Sequence, residues 1–309
     1  MLDFLALILG VVCAGVGGEL FVRGGVGLAK WARISPGIIG ATVVAFGTSS
    51  PELSVSVNSA LAGTPQIGLG DALGSNVLNV ALILGVTLLI SQTECSRQSI
   101  QRDFPVALAI PVITGVLILD GRISRLDGFL LLGMFAAWLV ATIIEVRRQR
   151  SAAAAVVGEP RRWMSIVECA AGLAVLIAGG TLIVRGATGI AAAFGIEEFV
   201  IAATVVAVGT SAPELATAVV AKLRGHDEIG LGTILGSNIF NGIFIIAVLA
   251  IIHPIAVDWR DVLIALVFGL VALAFSYPER SGLIRRRRGA WLLVLFVVYV
   301  AVALQGGGG

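Results

Sequence analysis

Charged residues are scarce in this sequence: aspartate, glutamate, lysine and arginine together make up 13% of its 309 residues. Soluble globular domains carry about 25%, so the composition excludes an ordinary soluble fold. Hydrophobic residues reach 58% instead. We therefore predict an all-α integral membrane protein, in which the helices satisfy their own backbone hydrogen bonds inside the bilayer.

Cysteine and histidine are also rare, with three and two copies. Cys13, Cys95 and Cys169 have no metal-like spacing, and we interpret them as small packing residues. His226 and His253 fall near segment ends and receive no role. The sequence also contains no HExxH, GxSxG or phosphate-binding motif, which argues against an enzyme. We expect no cofactor, no nucleic-acid partner and no obligate protein partner.

Apolar segments of roughly 20 residues can cross the hydrocarbon core of a bilayer, and ten such segments can be counted. They cover residues 2–22, 36–62, 66–91, 104–119, 124–146, 163–184, 198–222, 229–252, 260–277 and 289–304. The first segment lacks the basic start and the cleavage site of a signal peptide, so we expect it to be retained.

Lysine and arginine are distributed unevenly between the connections. The connections after odd-numbered segments carry seventeen of them, and the opposite side carries four. The positive-inside rule then places the odd-numbered connections in the cytoplasm and both termini outside. We expect a multi-pass protein of the plasma (inner) membrane, in contact with membrane lipid. The run from Arg285 to Arg288 is interpreted as a topology anchor.

The sequence is duplicated with a displacement of 162 residues. Residues 41–53 return as 203–215 with eleven of thirteen positions identical, and residues 67–79 return as 229–241. Each copy owns five predicted segments, and five is odd, so the second copy enters the membrane from the opposite face. The predicted units are a first five-helix repeat (1–146), a cytoplasmic linker (147–162), a second, inverted five-helix repeat (163–304) and a disordered tail (305–309).

Glu52 and Glu214 lie near the middle of segments 2 and 7. A carboxylate at that depth costs roughly 3 kcal/mol or more, and it persists where it faces a polar interior. One alternative is a helix-to-helix hydrogen bond or a buried pair with arginine. Because no basic residue lies at similar depth on these segments, we favour a site for cations.

Pro51 and Pro213 directly precede these glutamates. A proline inside a helix removes one donor and clashes with the carbonyl four residues back. We therefore expect helices 2 and 7 to be broken, with carbonyls freed around Thr48 and Thr210. Freed carbonyls and a carboxylate are the hard oxygen ligands that sodium and calcium prefer. A structural kink alone would explain the prolines but not the adjoining polar residues.

Two polar pairs recur one segment later. Ser75 and Asn79 are four residues apart, as are Ser237 and Asn241, so each pair shares one helix face. Their neutral oxygens can complete a coordination shell without adding charge. The glycines spaced four apart beside each pair also predict close helix packing, and we expect both roles.

Two further acids fall outside the shared pattern. Asp71 stands where the second copy has Thr233. We interpret it as a helix-start acid, with a place at an entrance as the alternative. Glu19 and Arg23 are four residues apart, and we expect them to pair with each other.

In these motifs the sequence resembles the cation/calcium antiporter superfamily, specifically its sodium/calcium exchanger branch. The two alpha-repeats of that family are matched by residues 47–52 with 74–79 and by residues 209–214 with 236–241. The resemblance implies ten spans in two inverted repeats with external termini. Some relatives carry aspartate where this chain has Asn241, which argues against potassium co-transport.

The resemblance also implies a set of metal ligands. Central carboxylates are expected at Glu52 and Glu214, backbone carbonyls at Thr48, Thr210, Ala45 and Ala207, and surrounding ligands at Ser49, Ser211, Ser75, Ser237, Asn79 and Asn241. The transported ions would be Ca²⁺ and Na⁺.

The expected function is a secondary active antiporter that exchanges sodium for calcium by alternating access at this central carboxylate site. Segments 1 and 6 are the expected moving gate. A calcium/proton antiporter is the closest alternative, because buried carboxylates can take protons. An ion channel could use the same ligands, but inverted repeats with broken helices favour alternation over an open pore.

Overall fold

The computed structural model describes residues 2–152, 162–193, 207–257 and 259–306, and these residues are almost entirely helical. The helices are α1 (Leu2–Ala32), α2 (Pro36–Thr48), α3 (Ser50–Leu61), α4 (Pro65–Ile90), α5 (Ser99–Asp120), α6 (Arg125–Ala152), α7 (Arg162–Ala193), α8 (Ala207–Thr210), α9 (Ala212–Leu223), α10 (Asp227–Ile252), α11 (Trp259–Ser276) and α12 (Arg286–Gly306). Four short strands are β1 (Thr93–Glu94), β2 (Arg122–Ile123), β3 (Ile255–Ala256) and β4 (Leu283–Ile284).

Within this described part, six helices are long and apolar enough to cross a membrane, or seven if the bent pair α2 and α3 counts as one span. The prediction of a multi-pass helical membrane protein is confirmed. By length and composition, the described residues contain fewer spans than the ten predicted. The predicted linker, the start of segment 198–222 and the end of the tail fall partly on residues 153–161, 194–206 and 307–309, outside the described residues.

Helices α4 and α10 form the centre of the molecule. The most apolar stretch of α4 is 72% buried and that of α10 is 83% buried, against 17% for α6. An apolar helix that is covered on all sides belongs to the interior, whereas one with an exposed apolar face can meet lipid. The polar pairs predicted as ligands therefore lie on the two most enclosed helices.

The predicted helix breaks are present at equivalent places. Ser49 separates α2 from α3, which are bent by 46°, and Ser211 separates α8 from α9. Both serines have the same non-helical backbone, with φ −85° and ψ 12° at Ser49 and φ −87° and ψ 9° at Ser211. Pro51 and Pro213 occupy the first turn of the helix that follows, where a missing N–H costs nothing.

The short strands connect the two halves of the chain. β1 pairs antiparallel with β4, and β2 pairs antiparallel with β3. The connection after α4 therefore lies beside the one before α12, and the connection between α5 and α6 lies beside the one between α10 and α11. Each half thus contributes one strand to each pair.

Helices α1 and α7 form a close antiparallel pair through glycines. A Cβ added at Gly17 would lie 2.8 Å from the Leu176 backbone nitrogen, and one added at Gly172 would lie 2.5 Å from the Phe21 nitrogen. Backbones this close leave no room for a side chain. Small residues here allow the two helices to pack as one unit.

The expected pairing of Glu19 with Arg23 is wrong. Arg23 lies 3.4 Å from Glu168 on α7, and Glu19 lies 2.8 Å from Arg224 at the end of α9. Both residues have tertiary partners, so the spacing of four residues along α1 did not decide their pairing.

Candidate ion-binding site

Each half of the chain supplies a serine that binds the glutamate of the other half. The Ser49 hydroxyl donates to Glu214 Oε1 at 2.8 Å, and the Ser211 hydroxyl donates to Glu52 Oε1 at 3.2 Å. All four side chains are fully buried. Each serine lies at a helix break, and each glutamate lies one turn later. The crossed hydrogen bonds therefore bring the two breaks face to face and both carboxylates into one cluster.

The central helices add a second layer of hydroxyls. Ser49 Oγ also lies 2.9 Å from Ser237 Oγ, and Ser237 Oγ lies 3.4 Å from Glu214 Oε1. On the other side Ser211 reaches Ser75 Oγ at 3.4 Å. Glu214 has more hydroxyl contacts than Glu52, and its shortest is 2.8 Å against 3.2 Å, so the duplicated cluster is not symmetric in its hydrogen bonds.

The cluster contains buried oxygens without a partner. Oε2 of Glu52, Oε2 of Glu214 and the amide oxygens of Asn79 and Asn241 accept no hydrogen bond from any described residue. Leaving a buried polar atom unpaired costs about 1–3 kcal/mol, and more for a charged group. Carboxylate, hydroxyl and amide oxygens are the ligands that Ca²⁺ takes. These atoms are therefore suited to hold a hard cation.

The arginine alternative has no support, because neither glutamate takes part in an ion pair with the lysines and arginines of the described chain. Over the same residues, no group of three or more His, Cys, Asp or Glu side chains is arranged to hold one metal. The cluster combines two carboxylates with neutral oxygens.

Asn79 and Asn241 lie at π-helical turns of the central helices. The turns cover Asn79–Leu84 in α4 and Phe240–Ile245 in α10. A π-helical turn inserts one extra residue into a helix and occurs often at functional sites. Both amides are buried at the level where the two helices change their winding.

The carbonyls expected to be free near Pro51 are partly engaged. The Gly47 carbonyl, which loses a backbone donor at Pro51, accepts the Ser50 hydroxyl at 2.7 Å. The Ala45 carbonyl accepts the Ser49 amide at 3.0 Å and the Thr48 hydroxyl at 3.2 Å. Ala207 begins helix α8 and takes the equivalent place in the second half.

Sequence reasoning missed the role of Asn76 and Asn238. The Asn76 amide donates to the Asn238 carbonyl at 3.2 Å, and the Asn238 amide donates to the Asn76 carbonyl at 3.1 Å. This exchange joins α4 to α10 beside the carboxylates. The signal was present, since the Gly-Ser-Asn sequence occurs in both copies.

The interpretation of Asp71 as a helix-start acid is wrong. Helix α4 begins at Pro65 and has no acid in its first turn. The Asp71 carboxylate instead accepts a hydrogen bond from Thr210 and interacts electrostatically with Glu52. Thr233, its counterpart, donates back to the Ile229 carbonyl at 2.8 Å. Asp71 is therefore a neighbour of the site, and Thr233 is an ordinary helix residue.

Comparison with known proteins shows the family of the chain. The profile of the family described as sodium/calcium exchanger protein matches residues 2–144 and 164–305. The chain is 35% identical to the putative antiporter CaxA of Alkalimonas amylolytica, over 91% of this chain and 92% of that protein. It is 33% identical to the inner membrane protein YrbG of Escherichia coli, over 87% and 86%.

A solved structure of the sodium-calcium exchanger NCX_Mj superposes with a TM-score of 0.84 and 30% identity, covering 97% of this chain and 98% of that one. The profile, the extended sequence identity and the shared fold all indicate the same family. The chain belongs to the sodium/calcium exchanger family of membrane antiporters, which exchange cations for calcium.

Proposed function

We propose that this protein exchanges Na⁺ for Ca²⁺ by alternating access at the cluster built around Glu52 and Glu214. The observation that carries the proposal is the crossed pairing of Ser49 with Glu214 and of Ser211 with Glu52. It supports one shared site, because both carboxylates are held together deep in the protein with one oxygen each left unpaired.

The proposed ligand set is the one expected from the sequence. It comprises side chains of Glu52, Glu214, Ser49, Ser211, Ser75, Ser237, Asn79 and Asn241, and backbone carbonyls of Thr48, Thr210, Ala45 and Ala207. Its support is that the fully buried hydroxyls contact the carboxylates directly. Two carboxylates balance the charge of one Ca²⁺, and Na⁺ ions can occupy the same oxygens.

Competition for these oxygens couples the two fluxes. Without a cation, two like charges would be buried together, which disfavours reorientation of the empty site. Either ion relieves that repulsion. The protein therefore changes sides only when loaded, and downhill movement of one ion drives the other uphill.

Sodium is proposed as the coupling ion in preference to protons. The carboxylates are surrounded by serine hydroxyls and asparagine amides, which are neutral oxygen donors suited to an alkali cation. The similarity to a protein named a sodium-calcium exchanger, at 30% identity over 97% of the chain, supports the same choice.

The proposed architecture is ten spans in two inverted repeats, residues 1–146 and 163–304, joined by a cytoplasmic linker at 147–162. Its support is the strand pairing, since β1 pairs with β4 and β2 with β3. In inverted repeats, equivalent connections of the two halves lie on opposite faces of the membrane. Each connection is then expected to pair with a non-equivalent connection of the other half, as β1 does with β4 and β2 with β3. The positive-inside rule places the termini outside, and the similarity to an inner membrane protein supports the inner membrane.

Helices α1 and α7 are the proposed moving gate. A Cβ added at Gly172 would stand 2.5 Å from the backbone of α1, whereas Cβ atoms added at Gly18 and Gly25 would stand 3.2 and 3.3 Å from their nearest neighbours in α9 and α2. A rigid pair that meets the rest of the protein across looser contacts can slide as a unit.

The test is calcium uptake by proteoliposomes loaded with Na⁺. An outward Na⁺ gradient at fixed pH is expected to drive Ca²⁺ uptake, and Glu52→Gln is expected to abolish it. Uptake that follows a pH gradient and ignores Na⁺ would instead establish the proton-coupled alternative. Large single-channel currents in planar bilayers would contradict alternating access.

A further inference from the structure

Lys222 is a buried lysine in the last turn of α9, outside the proposed ion site. Only 3% of its side chain is exposed. Its ammonium group donates to Asp227 Oδ2 at 2.8 Å, to Thr93 Oγ1 at 2.9 Å and to the Gln92 carbonyl at 2.6 Å. These four residues form the Lys222 cluster. An ammonium group has three N–H donors, so each donor has an acceptor. A lysine that served only as a topology signal would keep its charge in water.

The Lys222 cluster joins the two halves of the chain. Lys222 and Asp227 belong to the second half and flank the short connection between α9 and α10. Gln92 and Thr93 belong to the first half and follow α4. Thr93 is itself held in the strand pair of β1 with β4. The ammonium group therefore ties the end of α9 to a connection that is anchored elsewhere.

The Lys222 cluster lies on the face of α9 that carries the proposed site. Glu214, Ala218 and Lys222 are each four residues apart, so they share one helix face and are separated by about 6 Å per step. Ala218 and Lys222 line a cavity whose other walls are α4, β1 and the start of α10, and its volume is about 10 Å³. That volume holds about one water molecule. A hydrated cation does not fit along this face between Glu214 and the Lys222 cluster.

The duplication allows the same place to be compared at the other end of the molecule. The positions equivalent to Lys222, Asp227, Gln92 and Thr93 are Ala60, Pro65, Pro254 and Ile255. Their side chains offer neither a charge nor a hydrogen bond, so the end of α3 has no counterpart of this tie. The positive-inside rule places the end with Lys222 in the cytoplasm.

We propose that the Lys222 cluster holds the cytoplasmic exit of the ion site closed and thereby favours conformations that are shut on the cytoplasmic side. The inference rests on the proposed alternating access. When α9 separates from β1, Lys222 loses the Gln92 carbonyl and the Thr93 hydroxyl, and a buried cation without its partners is strongly unfavourable. Lys222 is thus a positioning residue, which acts on the exit without touching the transported ion.

The experiment measures the half-saturating Ca²⁺ concentration separately on the two faces of the membrane. Exchange of radioactive calcium for unlabelled Ca²⁺ is followed in inside-out and right-side-out vesicles from the same cells, with vesicles that lack the protein as background. The apparent affinity on one face is reduced by the fraction of protein that is open to that face. A change in the exit alone is therefore expected to alter one face selectively.

Lys222→Met removes the charge and the three donors while it keeps an unbranched side chain. The half-saturating concentration is expected to fall about 10-fold in inside-out vesicles, as for the loss of one charge-assisted hydrogen bond, and not to fall in right-side-out vesicles. Thr93→Val keeps the lysine and its pairing with Asp227. It is expected to give a fall of about 3-fold on the same face, which separates the tie from the charge.

Arg97→Gln is the matched control for charge. It removes one positive charge from the same connection, where Arg97 is exposed and belongs to none of the ion pairs of the described chain. It is expected to leave the half-saturating concentrations on both faces as they are in the parent. A fall equal to that of Lys222→Met would assign the effect to surface charge and overturn the inference.

Two further results would overturn the inference. Unchanged cytoplasmic values in Lys222→Met and Thr93→Val would show that the Lys222 cluster only supports the fold. Equal shifts on both faces would place its effect in the ion site itself. If Lys222→Met is not recovered from membranes, Thr93→Val alone decides between these outcomes. Calcium exchange needs no coupling ion, so a failure of sodium coupling would not alter the result, whereas absence of calcium exchange in the parent would reject alternating access and the inference with it.

Discussion

The side-chain amides of Asn76 and Asn238 each donate to the other residue's backbone carbonyl, at 3.2 and 3.1 Å. The two residues hold equivalent places in the duplicated sequence, 162 positions apart. Their mutual exchange fixes the level at which α4 crosses α10, and with it the relative height of Ser75 and Ser237.

Replacing Asn76 or Asn238 by alanine is therefore expected to destabilise the protein by about 1 kcal/mol each, the usual net value of one hydrogen bond. Thermal unfolding in detergent measures the loss. Each variant removes one side-chain amide and keeps both backbone carbonyls, so the double variant is expected to lose about the sum of the two. A double variant no less stable than either single variant would contradict two separate hydrogen bonds.

Glu52→Gln and Glu214→Gln are each expected to weaken Ca²⁺ binding by about 30-fold or more, since removing one buried charge from an ionic contact costs about 2–5 kcal/mol. Isothermal titration with Ca²⁺ provides the measurement. Glu94→Gln, in the exposed part of β1, is the control and is expected to bind as the parent does. Tight binding by both glutamine variants would mean that these are the wrong acids.

Ser49→Ala is expected to impair Ca²⁺ binding more than Ser211→Ala. Ser49 makes contacts of 2.8 and 2.9 Å, whereas those of Ser211 are 3.2 and 3.4 Å. A hydrogen bond to a charged group contributes about 1.5–3 kcal/mol, so a loss of about 10-fold is expected for Ser49→Ala. An equal loss of Ca²⁺ affinity in the two variants would show that this difference in hydrogen-bond distances does not affect binding.

Gly172→Ala is expected to lower the stability of the protein, because its Cβ would lie 2.5 Å from the Phe21 backbone nitrogen. Forced overpacking costs about 1–3 kcal/mol. Gly15→Ala is the control on the partner helix, since nothing lies within 4 Å of its added Cβ. Equal melting temperatures for the two variants would contradict close packing of α1 on α7.

Lys222 offers a test outside the site. Its ammonium group contacts Asp227 at 2.8 Å, Thr93 Oγ1 at 2.9 Å and the Gln92 carbonyl at 2.6 Å, and only 3% of the side chain is exposed. Lys222→Met is expected to cost about 2 kcal/mol, somewhat less than a fully buried pair, because Asp227 keeps 25% exposure. The double change with Asp227→Asn is expected to recover part of this stability; no recovery would contradict the pairing.

The sequence was informative where a residue's role follows from repetition. Glu52 and Glu214, with the serines at the helix breaks, could be singled out as candidate ligands because the same polar residues recur inside apolar segments. Their crossed pairing required the fold, since no local pattern tells which serine meets which glutamate.

The sequence interpretation was wrong where a rule based on local spacing was overridden by a contact with a residue from another part of the chain. Glu19 and Arg23 were expected to pair on one helix, yet each binds a residue of another helix. Carbonyls around Thr48 were expected to be free, but the Gly47 carbonyl accepts the Ser50 hydroxyl. Asp71 contacts Thr210, a residue of the other copy, which no spacing along α4 could indicate.

The pairing of short strands between the two halves affects how the halves are held together. Because β1 pairs with β4 and β2 pairs with β3, the two halves are joined by two strand pairs. Contacts outside the connecting peptide therefore join the two halves. Cleavage of that connection would leave a noncovalent two-fragment transporter, and fragments produced as separate polypeptides would have the contacts needed to reassemble.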